Sequence, residues 1–257
     1  MRKIALFAAL FLGLILGSHE SSRSAAPLPD ELGNLEKTYR YFIVLDPTPE
    51  GYPRYMYSDV AAHIHIYVVK KGRPELDWET ATLGSAVTAL FVSDVNADGK
   101  KEIMVATARG RIIVYDAQTY DRIHENFLEP FESIQCMTSA NLDNDPQEEV
   151  VFIAENRLNI YDGKIATMEW RSQQDFQASE ILIGNVDDDP QPEIILNTGA
   201  IIDSKFYTIE PSSIETGIFG TRIRLFDMNA DGHPEILGEM PGYALKVYDV
   251  YARREIW

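Results

Sequence analysis

Apolar and polar positions alternate along this chain in short runs, and the runs recur. Leu90 and Val92, Met137 and Ser139, Ile181 and Ile183, and Ile223 and Leu225 stand two apart, with mixed residues between them. A period of two with one apolar face predicts a half-buried strand. A second strand follows at Ile103-Met-Val-Ala, Val150-Val-Phe-Ile, Ile194-Ile-Leu and Ile236-Leu. A third reads Arg111-Ile-Ile-Val-Tyr115-Asp, Arg157-Leu-Asn-Ile-Tyr161-Asp and Ala244-Leu-Lys-Val-Tyr248-Asp. A fourth, shorter strand closes on an aromatic residue: Trp78, Phe127, Trp170 or Trp257.

Between the first and second strands lies a loop of one pattern. Oxygen side chains stand at positions one, three and five, a turn-former at six and Glu at nine. The four copies begin at 94, 141, 185 and 227, a spacing that marks a repeat architecture. Their polar positions are Asp94, Asn96, Asp98 and Glu102; Asn141, Asp143, Asp145 and Glu149; Asn185, Asp187, Asp189 and Glu193; and Asp227, Asn229, Asp231 and Glu235. Short oxygen side chains on alternate residues of a tight turn can converge on one point. The resulting shell suits a hard cation of calcium size, up to four ions at one per loop. Where position one is Asp, position three is Asn, and the reverse. Each loop therefore carries three carboxylates and one amide, as expected if summed charge at a point matters. An EF-hand would need Glu at position twelve and flanking helices. Val105, Phe152, Leu196 and Gly238 stand there, between predicted strands. The competing interpretation is a metal-free hairpin in which Asp and Asn bond their own backbone amides.

A fifth, degenerate copy precedes these. Phe42 and Val44 form its strand pattern, and Asp46 to Arg54 its loop, where Arg54 replaces the closing Glu. This loop is expected to bind no metal. Its third strand, His63-Ile-His65-Ile-Tyr67, puts two imidazoles on one strand face, as a transition-metal pair would require. Ile113, Asn159 and Lys246 stand where His65 does, so that position is expected to face outward.

The predicted fold is all-β: a β-propeller of five four-stranded blades, the first degenerate, as a closed ring or an open fan. Blade boundaries fall at about 38–84, 85–131, 132–175, 176–217 and 218–257. Residues 1–26 have a basic start, an apolar run and a small-residue end at Ser24-Ala25-Ala26, which predicts a secretory signal peptide. Residues 27–37 read as a linker or a short helix. The expected location is outside the cytoplasm: secreted, cell-surface or periplasmic, with no membrane span after cleavage. No cysteine follows the apolar run as a lipid anchor would need. The single cysteine, Cys136, excludes an internal disulfide and reads as a packed side chain.

Forty acids against 23 bases leave a formal charge of −17, which argues against nucleic acid as a partner. Much of the excess sits in the loops, where cations would offset it.

The loops resemble those of FG-GAP and VCBS repeats, the calcium-loop propeller repeats of integrin alpha-subunit heads and many exported bacterial proteins. The resemblance covers about residues 40–257. It implies calcium held at the sixteen loop positions named above, and a role in adhesion or ligand binding. This chain departs from the family in having Glu at position nine where Asp is frequent, Pro146 and Pro190 in place of Gly, and five units where seven are usual. The expected function is a non-catalytic binding or assembly module for a protein or polysaccharide partner. No catalytic residue is assigned. Two alternatives stand beside it. One is a secreted polysaccharide lyase or glycosidase, which by resemblance can use calcium-loop propellers; a glycosidase needs two carboxylates flanking a bond. The other is a quinoprotein-like propeller, since Tyr115-Asp-Ala-Gln-Thr119 and Tyr161-Asp162 with Trp170 resemble tryptophan-docking repeats, although Tyr120 stands where Gly is usual.

Overall fold

The computed structural model describes residues 41–125, 130–143, 145–210, 219–240 and 244–256. The expected leader, the linker, the start of blade 1 before residue 41, and the aromatic residues Phe127 and Trp257 lie outside them. The described residues form five four-stranded antiparallel sheets, each a simple meander. Blade 1 is β1 (Phe42–Leu45), β2 (Arg54–Ser58), β3 (Ile64–Lys70) and β4 (Arg73–Glu79). Blade 2 is β5 (Val87–Ser93), β6 (Glu102–Thr107), β7 (Ile112–Asp116) and β8 (Arg122–Glu125). Blade 3 is β9 (Ile134–Ala140), β10 (Glu149–Ala154), β11 (Arg157–Asp162) and β12 (Met168–Arg171). Blade 4 is β13 (Ile181–Gly184), β14 (Glu193–Leu196), β15 (Ile201–Asp203) and β16 (Thr208–Ile209). Blade 5 is β17 (Ile223–Phe226), β18 (Glu235–Met240), β19 (Ala244–Asp249) and β20 (Arg254–Glu255). The fold is a five-bladed β-propeller. No helix of the described residues is long and apolar enough to cross a membrane.

A single sheet of this size has two faces to cover, and the blades cover one another. Apolar clusters join blade 1 to 2 through Met56, Ile66, Leu90 and Ile103, and blade 2 to 3 through Met104, Val114, Val150 and Phe152. Blades 3 and 4 meet through Val151, Ile160, Ile181 and Ile194, and blades 4 and 5 through Ile195, Ile201, Ile223 and Ile236. Every residue of β6, β10 and β14 is buried. Burying a side chain such as Phe152 contributes about 1.5–3 kcal/mol. The first strands of all five blades line one central cavity of about 350 Å³.

Two details differ from the sequence reading. The first strands of blades 2 to 4 are covered on both faces rather than one: Leu90 faces the joint with blade 1, and Ala89 and Phe91 the joint with blade 3. In blade 1 the alternation is the same but only one side is covered. Ile43 and Leu45 face the core shared with blade 2, while Val44 is 52% exposed. Val44 occupies the register position of Val92, which faces the preceding blade. Among the described residues no apolar cluster joins blade 5 to blade 1, so nothing of that kind covers it.

Candidate metal centre

Each of the four intact loops joins the first strand of a blade to its second, and the Glu at position nine opens the second strand. The structure brings together Asp94, Asp98 and Glu102; Asp143, Asp145 and Glu149; Asp187, Asp189 and Glu193; and Asp227, Asp231 and Glu235. In each set one oxygen per residue lies within 4.8 Å of the others, a grouping that can hold a metal ion. Asn96, Asn141, Asn185 and Asn229 sit in the same loops and act through hydrogen bonds.

The closing glutamates have a second task. Glu102, Glu149, Glu193 and Glu235 accept the backbone N–H of position two, from Val95 (3.0 Å), Leu142 (2.5 Å), Val186 (2.8 Å) and Met228 (2.6 Å). That bond turns the position-two side chain inward. Val95, Leu142 and Val186 are buried in the cores between their own blade and the next. The loop is thereby pinned to the joint between blades. Sequence reasoning missed this role, although a lone apolar residue inside an otherwise polar loop was the signal.

The exchange of Asp and Asn has a local cause. In the loops with Gly at position six, Gly99 and Gly232 adopt φ of 85° and 97° and donate their N–H to Asp94 (2.9 Å) and Asp227 (3.1 Å). Position three is then Asn, and its amide donates to the glutamate, Asn96 to Glu102 (3.0 Å) and Asn229 to Glu235 (2.8 Å). In the loops with Pro146 and Pro190, position six has no N–H to offer. Position one is Asn instead, and the side chains of Asn141 and Asn185 donate to the carbonyls of Asp145 and Asp189. Position three is Asp and cannot donate while ionised. Positions three and five also accept the amides two residues on, as in Asp145 N–H to Asp143 (2.7 Å) and Gln191 N–H to Asp189 (2.8 Å). The metal-free turn chemistry weighed from sequence is therefore present.

Turn chemistry does not account for one atom. Glu149 is fully buried, and its Oε1 has no hydrogen-bond partner. An unpaired buried acceptor is destabilising by about 1–3 kcal/mol, and more when charged. One oxygen of the Glu149 carboxylate belongs to the group formed with Asp143 and Asp145, so a cation held there would lie beside it. Burial pushes the Glu149 carboxyl from 4.5 up to about 7, and the charges of Asp143, Glu169 and Asp145 add to the rise. Burial likewise lifts Glu102 to about 7, with Asp98, Asp94 and Asp116 contributing. Glu193 reaches about 7 by burial and the charges of Asp187 and Asp189. All-oxygen, acid-rich and inward-facing, the residues present fit a divalent cation.

A further set of acids stands at the ends of third strands, two of them quoted in the sequence as Tyr115-Asp and Tyr161-Asp. Asp116, Asp162 and Asp203 pair across the sheet with Glu102, Glu149 and Glu193. Each caps the next turn: Asp116 accepts from Gln118 and Thr119 N–H (both 2.7 Å), and Asp162 from Lys164 (2.8 Å) and Ile165 (2.6 Å). The recurrence of Asp after Tyr115 and Tyr161 was the available signal; Asp203 follows Ile202 and carried none.

In blade 1, cationic side chains occupy the loop region. Arg54 donates to the Asp46 carbonyl (2.7 Å), the Ala117 carbonyl (3.2 Å) and the Tyr120 hydroxyl (3.0 Å). Lys101 of blade 2 pairs with Asp46 at 2.8 Å. Here fixed side-chain charge ties the loop to the next blade. Between blades 2 and 3 the tie is Glu148, which accepts from the hydroxyls of Ser93 and Ser139 at 2.6 Å each and donates its N–H to the Val95 carbonyl.

No family model matches the sequence, and no curated protein matches it. Solved structures do resemble it in fold. BBS1N, solved in complex with ARL6DN, superposes with a TM-score of 0.60 at 13% identity, over 85% of this chain and 65% of that one. The Vibrio cholerae biofilm matrix protein Bap1 gives 0.55 at 14%, over 81% and 37%. Saccharomyces cerevisiae Sqt1 gives 0.51 at 11%, over 82% and 61%. This chain spans less than two thirds of each, and likeness at such identity is a likeness of fold.

Proposed function

We propose that this protein is a calcium-stabilised β-propeller of the FG-GAP/VCBS kind that works outside the cytoplasm as a binding module for a protein or glycan partner. One observation carries the calcium assignment: four loops each converge three acidic side chains on one point at the joint between strands. An all-oxygen shell on a flexible turn suits calcium, which takes six to eight oxygens; zinc favours nitrogen and sulfur, and magnesium demands a stricter octahedron. The expected ligands are the sixteen loop positions. A bound ion would offset the crowded acids and, through position two, hold neighbouring blades together. Extracellular calcium modules bind with Kd of about 10⁻⁴–10⁻³ M, which matches the exported setting that residues 1–26 predict.

The binding role rests on the scaffold. Calcium would make it rigid, and a rigid scaffold loses little freedom when it takes a partner. BBS1N was solved with a protein partner and Bap1 is a matrix protein, and both likenesses support this reading. The test is a capture experiment with the chain lacking residues 1–26, run in calcium and in chelator. A partner retained in calcium and released by chelator supports the proposal. An unchanged melting midpoint on calcium addition overturns the calcium assignment. New double bonds or reducing ends from incubated glycans overturn the non-catalytic one.

A further inference from the structure

A second cluster lies at the other end of blade 1. The hairpin from β2 to β3 runs from Asp59 to His63, at the strand ends opposite to the loop between β1 and β2. His63 Nδ1 and His65 Nε2 each stand 3.1 Å from the same oxygen, Oδ2 of Asp59. On the far side of the His65 ring, Nδ1 stands 3.2 Å from Glu79. His65 is stacked on Tyr57 at 4.8 Å and its side chain is only 14% exposed, so the expected outward-facing position is a half-buried, fixed one.

Blade 2 shows which of these features the fold requires. There Thr107 and Arg111 close the same hairpin: Thr107 N–H bonds the Arg111 carbonyl, and Arg111 N–H bonds Thr107 Oγ1 at 3.2 Å. Asp59 does this with Oδ1, which accepts the His63 N–H at 2.8 Å. Its Oδ2 is surplus to the turn and faces both imidazoles. The glutamate opposite is also shared, since Glu125 pairs with Ile113 across the sheet as Glu79 pairs with His65. In blade 2 that glutamate holds Arg111 at 2.6 Å. In blade 1 it holds an imidazole nitrogen.

We infer that Asp59, His63 and His65 form a binding site for a borderline first-row divalent cation of the zinc class, with Glu79 as the residue that orients His65. Two imidazoles and a carboxylate suit such an ion, and an oxygen-seeking calcium does not compete well for them. A neutral imidazole has one N–H, yet His65 faces carboxylate oxygens with both nitrogens. Either a second proton on the ring or a cation between Nε2 and Asp59 makes that arrangement attractive on both sides, and zinc binding distinguishes the two. Ligand atoms about 2.05 Å from a tetrahedral zinc stand about 3.3 Å apart; both imidazole nitrogens stand 3.1 Å from Asp59 Oδ2, and all three ligand atoms lie within 4.8 Å of one another. Glu79 accepting the His65 Nδ1–H is the second partner that metal-bound histidines usually have.

The test titrates zinc alone into the full chain in excess calcium, by calorimetry. The expected result is one saturable zinc site, abolished in His63→Ala and His65→Ala and weakened about 10- to 100-fold in Glu79→Gln. Because a variant can fail to fold, the wild-type chain is also treated with diethylpyrocarbonate and mapped by mass spectrometry. Zinc should slow modification of His63 and His65 and leave His124 and His233 unchanged. No saturable binding, unchanged affinity in the folded histidine variants, displacement of zinc by calcium, or protection of His233 instead would each overturn the inference.

Discussion

Glu149→Gln should change the sign of its effect on stability with calcium. Glutamine keeps an oxygen for the Leu142 N–H and removes a buried charge whose second oxygen has no partner. The carboxyl is pushed from 4.5 up to about 7. At 1.36 kcal/mol per pKa unit its ionisation costs about 3 kcal/mol. An effective dielectric well above that of dry protein brings this to about 1–2 kcal/mol. In chelator at pH 8 the variant should therefore melt about 2–8 °C above wild type, at 2–4 °C per kcal/mol for a chain of this size. With free calcium at 100 times Kd, wild type gains about 2.7 kcal/mol at this site and the variant does not. The order then reverses, and the variant melts below wild type by a few degrees. At pH 5 in chelator, where Glu149 is already protonated, the two should nearly coincide. Scanning calorimetry in these three conditions is the assay. A variant destabilised equally with and without calcium would show that Glu149 is only a turn-closing acceptor and refute the reasoning.

Further outcomes follow from the same geometry. Glu102, Glu149 and Glu193 have folded values near 7, above their ordinary 4.5. Between about pH 4.5 and 7 the native chain holds protons that the unfolded chain has lost, so calcium-free stability should fall as pH rises through that window; a flat chelator profile of denaturant midpoints would contradict this. Calcium binding at pH 6 should release protons, read as a dependence of the calorimetric heat on buffer ionisation. Gly163→Ala should be destabilising by about 2–3 kcal/mol with or without calcium, because its Cβ would stand 2.3 Å from the Glu148 carbonyl and 2.5 Å from that of Val95; urea midpoints check it. Arg54→Ala should be destabilising by about 1–3 kcal/mol regardless of calcium, since its guanidinium makes the loop contacts in blade 1; a calcium-dependent loss would contradict that role.

The repeat was legible because strands and loops use separate periods. Alternation marked the strands, and the spacing of Asp94, Asn141, Asn185 and Asp227 marked the blades. Coverage of the faces was not legible. Alternation records which residues are apolar and says nothing of whether a neighbour covers the other side, so Val44 appeared equivalent to Val92 although it is exposed. The Asp and Asn exchange was visible, but its hydrogen-bond cause needed the backbone. Pro146 has no N–H where Gly99 has one, and this selects the partner at position one. Position two was passed over because a metal template assigns it no ligand, yet Val95, Leu142 and Val186 anchor the loops. His65 was misjudged by analogy with Ile113, Asn159 and Lys246. Its neighbour Asp59 lies six residues away around a hairpin, which strand alternation does not relate to it.

The most direct measurement is the number of calcium ions held by the full chain. The chain is stripped with chelator, dialysed against saturating calcium at pH 7.5 and analysed by atomic emission. The account predicts four ions per chain, falling to three in Glu149→Gln with the other loops unchanged. A chain that returns from dialysis with no bound calcium, and with an unaltered melting midpoint, would leave the acidic loops as hydrogen-bonded turns and contradict the account.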